Sequence, residues 1–168
     1  KEIGVPQGMS DGLVLMRSEI PASVRTQILN KYFRLDWNPT KHDGANLAYQ
    51  APNAMIDGLL RGDTGRIRSV VSSVSRELMA YTGEGIQYDL SFLQHRVGGK
   101  LNFHNGSYGL VVARDVSRVM RWAGGTAYAF GTAAVDQQVR FVLDGLAWQT
   151  RGDTFDIPSQ GRSVTNPG

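Results

Sequence analysis

His95 and His104 flank the pair Gly98-Gly99, and this spacing is the chain's first suggestion of chemistry. Two glycines between alternating segments favour a two-residue hairpin loop, because glycine takes a positive φ at little cost. A loop at that point pairs Val97 with Lys100, Arg96 with Leu101, His95 with Asn102 and Leu93 with His104. Side chains alternate along a strand, so Ser91, His95, Lys100, Asn102 and His104 then share one face. In that register His95 and His104 are diagonal neighbours, roughly 7–8 Å apart. Two imidazoles at that separation can act as general base and general acid in phosphodiester cleavage without a metal. Lys100 and Arg96 would stabilise developing negative charge, and Asn102 and Ser91 would hold substrate. Arg96 fits least well, because the same register turns it to the core face. The competing reading is the ordinary polar outer face of a sheet. A slip of one residue would also separate the two histidines.

The positioning elements follow from the same alternation. Ile86, Tyr88, Leu90 and Phe92 alternate with Gln87, Asp89 and Ser91, and they share a core face with Leu101 and Phe103. Asn105-Gly106 is a second turn signal. Further strands are expected over 108–113, 117–122 and 126–131, and 138–148 is either a strand or a helix. Upstream, Pro21 opens a helix with Val24, Ile28, Tyr32 and Leu35 along one stripe. Asp63-Thr64 caps a longer helix, in which Ile67, Val70, Val71, Val74, Leu78 and Met79 repeat at helical spacing as far as Gly83. Residues 1–17 suggest an irregular arm, and 36–52, with two prolines, a long loop. The expected fold class is α+β, with N-terminal helices packed on a mostly antiparallel β-sheet formed by the C-terminal half. One domain spans 1–157, and 158–168 form a flexible tail.

The chain has 168 residues, a formal net charge of +3 and no cysteine. Its size suits one domain with its own core. Lack of cysteine removes disulfides, thiolate metal sites and a cysteine nucleophile. Three histidines without H-x-H or H-x-x-x-H spacing point to no metal and no cofactor. The basic residues are mostly arginine, which suits phosphate-bearing partners such as nucleic acid, although no basic run occurs. No stretch is long and apolar enough to suggest a membrane span. The first residue is Lys1, which suggests a processed or excised piece of a longer chain.

Several smaller motifs have bland readings. Tyr88-Asp89, followed after five residues by His95-Arg96, resembles the catalytic run of the colicin M family, which cleaves a lipid-linked peptidoglycan precursor. That family carries an Asp two positions before the Tyr, where this chain has Ile86, and a hairpin before the run rather than after it. Gly8-Met9-Ser10-Asp11-Gly12 has the form of a nucleophile elbow but lacks the buried strand that an elbow requires. Arg-Gly-Asp-Thr occurs at 61–64 and 151–154, once as a helix cap and once as a turn. Trp37, Trp122 and Trp148 are expected to pack in the core or at its rim.

These readings suggest a small basic domain from a larger secreted or toxin-like protein. The leading activity is a metal-independent hydrolase of a phosphate-containing substrate such as RNA. The layout resembles that of small microbial ribonucleases and toxin tips. The competing class is a non-catalytic module that offers the 36–52 loop or a sheet edge to a cognate protein partner.

Overall fold

Ile67, Val70, Val74 and Leu78 recur at helical spacing, and in the computed structural model they bury one face of a helix, Thr64–Leu78. The structure describes residues 3–161 except 32, 34 and 36. In chain order the elements are α1 (Gly4–Leu15), α2 (Ala22–Lys31), α3 (Gly44–Arg61), α4 (Thr64–Leu78), β1 (Gly85–Ile86), β2 (Phe92–Val97), β3 (Lys100–Phe103), α5 (Leu110–Ala123), α6 (Thr132–Arg140), β4 (Thr150–Arg151) and β5 (Thr154–Phe155). Helices dominate. The two sheets are small: an antiparallel β1-β2-β3 and a hairpin of β4 and β5.

The centre of the molecule is α3. Ala45, Ala48, Ala51 and Ala54 are all buried, and these short side chains let neighbouring helices approach closely. Gln50, Asn53 and Asp57 are buried beside them, so α3 is covered on most of its sides, as befits a helix inside a bundle. α1, α4 and α5 pack against it. This explains why 44–52 lacks the one-sided pattern of a surface helix and suggests a loop in sequence. Pro52 lies within α3 and is buried; it forgoes one helical hydrogen bond there, and packing from most sides holds the helix together. The main core joins α3, α4, β1, β2, α5 and α6. A second cluster of Leu13, Leu29, Phe33 and Ile56 joins α1 and α2 to α3.

The expected helix-on-sheet fold is therefore corrected to a helical one. Residues 111–123 are rich in valine, which favours strands. Yet Val111, Val112, Val116, Val119 and Ala123 are buried along one stripe of α5. Ala134, Gln137, Gln138 and Phe141 repeat at i, i+3, i+4 and i+7 on α6 and the wider turn that continues it. The helical period outweighs β-propensity because each stripe buries a continuous face. The N-terminal arm is α1, where Ser10 donates to the Pro6 carbonyl at 2.6 Å, so Gly8–Gly12 forms no nucleophile elbow. In α2 the buried residue is Leu29, while Val24 is exposed. Tyr32, Asp36 and residues 162–168 of the expected tail lie outside the described residues.

Gly62, at φ 70, ends α3, and Asp63 accepts from the Arg66 N–H at 2.9 Å to start α4. Asp57, 1% exposed, ties the same corner together. Its carboxylate accepts from Arg61 Nε at 2.7 Å and from Arg66 Nη1 at 2.5 Å. Asp57→Ala removes the only buried member of the trio, while both guanidinium groups keep contact with water. The expected cost is about 2 kcal/mol, below the roughly 3–5 kcal/mol of breaking a fully buried pair. Urea unfolding of the variant measures it.

Candidate active site

The hairpin of β2 and β3 closes at Gly98-Gly99 and pairs Val97 with Lys100 and Arg96 with Leu101. The register then shifts. Gln94, not His95, faces Asn102, and Leu93 faces Phe103. His95 is the extra residue of a bulge, with φ 58. A bulge leaves its residue out of the ladder and re-aims the side chain. A non-glycine residue at such a φ costs roughly 1–3 kcal/mol and persists only where its surroundings enforce it.

Side chains provide that enforcement. The His95 N–H donates to Glu84 at 2.9 Å, and Asn102 Nδ2 donates to the His95 carbonyl at 3.0 Å. The other Glu84 oxygen accepts from Gln94 Nε2, and Gln94 Oε1 accepts from the Ala45 N–H at 2.8 Å. Gln94 is fully buried. The first turn of α3 is thus fastened to the bulge. Gly44 permits this contact: its φ is +50, and a side chain there would overlap the Gln94 amide. Gly44→Ala combines backbone strain with that overlap, and a loss of about 1–3 kcal/mol is expected in thermal unfolding.

The bulge turns His95 toward Tyr108. Tyr108 lies in a wide turn, Asn105–Gly109, in which the Gly109 N–H reaches the His104 carbonyl at 2.9 Å before α5 begins. Turns of this width are frequent at functional sites. Asn105 Oδ1 accepts the Phe92 N–H and holds the turn to β2. His95 Nε2 and the Tyr108 hydroxyl are 3.2 Å apart. His104, 4% exposed, completes a trio of rings: His104–Tyr108 and His95–Tyr108 centroids are each 5.1 Å apart, and the two histidines are 6.1 Å apart. His104 Nδ1 lies 3.1 Å from Ser107 Oγ. The backbone of Gly161, at φ +55, presses against the His104 ring where any side chain would overlap it. An open cleft of about 540 Å³ runs past His95, Val97, Asn102, Phe103, His104 and Pro158.

α3 adds Tyr49 behind this group. Burial pushes its hydroxyl above the usual tyrosine range, Arg114 pulls it back, and Tyr108 and Asp115 push it higher. Arg114 is held by Asp115 at 2.8 Å.

The residues expected from sequence are only partly brought together. His95 and His104 share the ring trio, but the bulge and the buried turn, not a flat sheet face, join them. Asn102 contacts the His95 backbone. Lys100 is exposed at the hairpin tip, and Arg96 is exposed with Nη1 3.4 Å from the Gly99 carbonyl. Ser91 turns back on Asp89, donating to its carboxylate from Oγ at 2.7 Å and from N–H at 3.0 Å. These bonds hold the Asp89 carboxyl below its ordinary range, the hydroxyl most of all. Tyr88 is 80% exposed and stacks on Tyr81, away from the ring trio. Tyr108, Glu84 and Gln94 were not expected. Asn105-Gly106 suggested a hairpin turn that would have made Tyr108 a strand residue, and nothing in one sequence marks a bulge. Among the described residues no group of three or more His, Asp or Glu could hold a metal ion, and no helix is long and apolar enough to cross a membrane.

Similarity to known proteins gives this pair a chemical setting. Residues 1–167 match the family described as the polysaccharide lyase family 8, N-terminal alpha-helical domain. The chain is 28% identical over 170 residues to the chondroitinase AC of Pedobacter heparinus, covering 99% of this chain and 23% of that protein. A solved chondroitinase AC lyase, seen with oligosaccharides, superposes with a TM-score of 0.86 at 27% identity, over 98% of this chain and 24% of the other. A Paenibacillus xanthan lyase shares the fold, with a TM-score of 0.80 at 23% identity over 98% of this chain and 15% of its own. The chain thus spans about a quarter or less of these relatives. The expectation of a nuclease, hydrolase or toxin acting on nucleic acid is overturned: the relatives are polysaccharide lyases, and the basic charge was no guide to nucleic acid. This chain belongs to polysaccharide lyase family 8, as its N-terminal alpha-helical domain.

Proposed function

We propose that this chain carries the acid/base pair of a lyase acting on an acidic polysaccharide. The observation that carries the reading is the contact between His95 Nε2 and the Tyr108 hydroxyl beside an open cleft. A polysaccharide lyase cleaves by elimination. The C–H bond next to a uronic acid carboxylate breaks, its electrons form a carbon–carbon double bond, and the bond to the leaving sugar oxygen breaks. One proton must be removed and one delivered, and no water enters the product.

A phenol bonded to an imidazole can do both. His95 takes the Tyr108 proton, the phenolate takes the substrate proton, and the restored phenol protonates the leaving oxygen. His104 braces the Tyr108 ring edge-on and limits its rotation. Lys100 and Arg96, exposed on the hairpin tip, meet anionic groups of the polymer. Asn102 lines the cleft but its amide is engaged by the His95 carbonyl, and Ser91, just before β2, is bonded to Asp89, so neither is assigned a substrate contact. Elimination is favoured over hydrolysis because the matching family and the solved relatives are polysaccharide lyases.

The test uses the full-length protein that carries this chain, with a uronate polymer such as chondroitin and a neutral glucan as control. Growth of the absorbance of a double bond conjugated to a carboxylate, on the uronate polymer alone, supports the reading. Cleavage without that absorbance removes it.

A further inference from the structure

His95 occupies a left-handed backbone conformation, uncommon for residues other than glycine, and both of its main-chain polar groups are taken by side chains. Glu84, between α4 and β2, accepts its N–H at 2.9 Å. Asn102, on β3, donates to its carbonyl at 3.0 Å. In a regular ladder these two groups would pair with β3 and keep the residue extended. Here the ladder skips His95, and the two side chains replace its missing partners. Glu84 is itself fixed by Gln94, which is anchored on the α3 N-terminus through Ala45. The bracket therefore connects three elements to one backbone position.

We infer that Glu84 and Asn102 are positioning residues, which lock the His95 bulge and thereby aim its ring at the Tyr108 hydroxyl. The inference rests on the acid/base reading of that pair, but the geometry it concerns can be measured separately. Neither residue needs to touch substrate for this role. Loss of either bond frees His95 to relax toward an extended conformation, which swings its ring away from Tyr108. A displacement near 1 Å at such a pair can cost on the order of a hundredfold in rate.

Near-isosteric variants test this. In Glu84→Gln, an amide oxygen facing His95 leaves the amide nitrogen facing the Gln94 amide nitrogen, so one bond of the bracket is lost in any rotamer. In Asn102→Asp, the carboxylate cannot donate to the His95 carbonyl and repels it. Both variants are made in the full-length protein with isotope-labelled histidine. The expected result is a fall in kcat of about tenfold or more with KM within about twofold. The His95 ring nitrogen signals should also shift, in the direction produced by Tyr108→Phe. Unchanged ring signals overturn the inference whatever the rates do. So does a loss confined to folded yield, with normal kcat per folded molecule. If Glu84→Gln does not fold, Asn102→Asp decides alone. A wild-type protein inactive on every uronate polymer would defeat the lyase reading, while the ring signals would still judge the bracket.

Discussion

Tyr108→Phe is expected to lower kcat on a uronate polymer by about a thousandfold, with little change in KM and none in fold. The variant removes one oxygen and keeps the ring, so the packing between His95 and His104 survives. What is lost is the group proposed above to handle both protons. General acid–base catalysis by a positioned side chain contributes roughly 10²–10⁴-fold, and one phenol serving two transfers belongs in the upper part of that range. His95→Ala should fall nearly as far, and the double variant little further, because groups acting as a unit lose their effect together. Additive losses would show that the two residues act separately.

A second large effect is expected in stability. The protein should lose about 3 kcal/mol as pH rises from about 5 to about 8, through the Glu77 carboxyl alone. Burial is the main reason that this group is pushed from its ordinary 4.5 up to about 7; the Gly44 N–H and Arg76 oppose the shift, and Asp43 and Glu84 add to it. Between those two values the folded chain holds a proton that the unfolded chain has released. The unfolded state then binds fewer protons, so stability falls as pH rises. The contribution is complete below about 4.5 and gone above about 7. Glu77→Gln keeps an oxygen for the Gly44 N–H, which now donates to Glu77 at 2.6 Å, but removes the titration. Thermal unfolding at pH 5 and pH 8 should show a smaller difference in the variant, with the variant more stable than wild type at pH 8. Equal differences in both proteins would contradict this origin.

Some of this structure is legible in one sequence, and physics explains which parts. α4 declares itself because its apolar stripe faces the core on one side only and Asp63 caps it. The Gly98-Gly99 loop is legible because few residues other than glycine fit such a turn. α3 is not, since burial on most sides erases the stripe and Pro52 argues against a helix. α5 misleads through its valines, whose strand preference is weaker than the gain from burying a continuous face. The geometry of the candidate site was half legible. His95 and His104 attract notice by type and spacing, but their partner Tyr108 depends on a bulge and a wide turn. A bulge arises from tertiary contacts, here Glu84 and Asn102, that lie far from any local pattern. The proposed reaction class was not legible at all, because a histidine beside basic residues suits phosphate chemistry as readily as proton abstraction from a uronate.

The most direct test of elimination at the His95–Tyr108 pair is cleavage of chondroitin by the full-length protein in heavy-oxygen water, read by mass spectrometry beside a folded Tyr108→Phe control. The expected products are an unsaturated sugar and a new reducing end, neither with solvent oxygen built in by the cleavage step, formed by wild type and not by the variant. Heavy oxygen placed by bond cleavage itself, or equal activity in Tyr108→Phe, would contradict it.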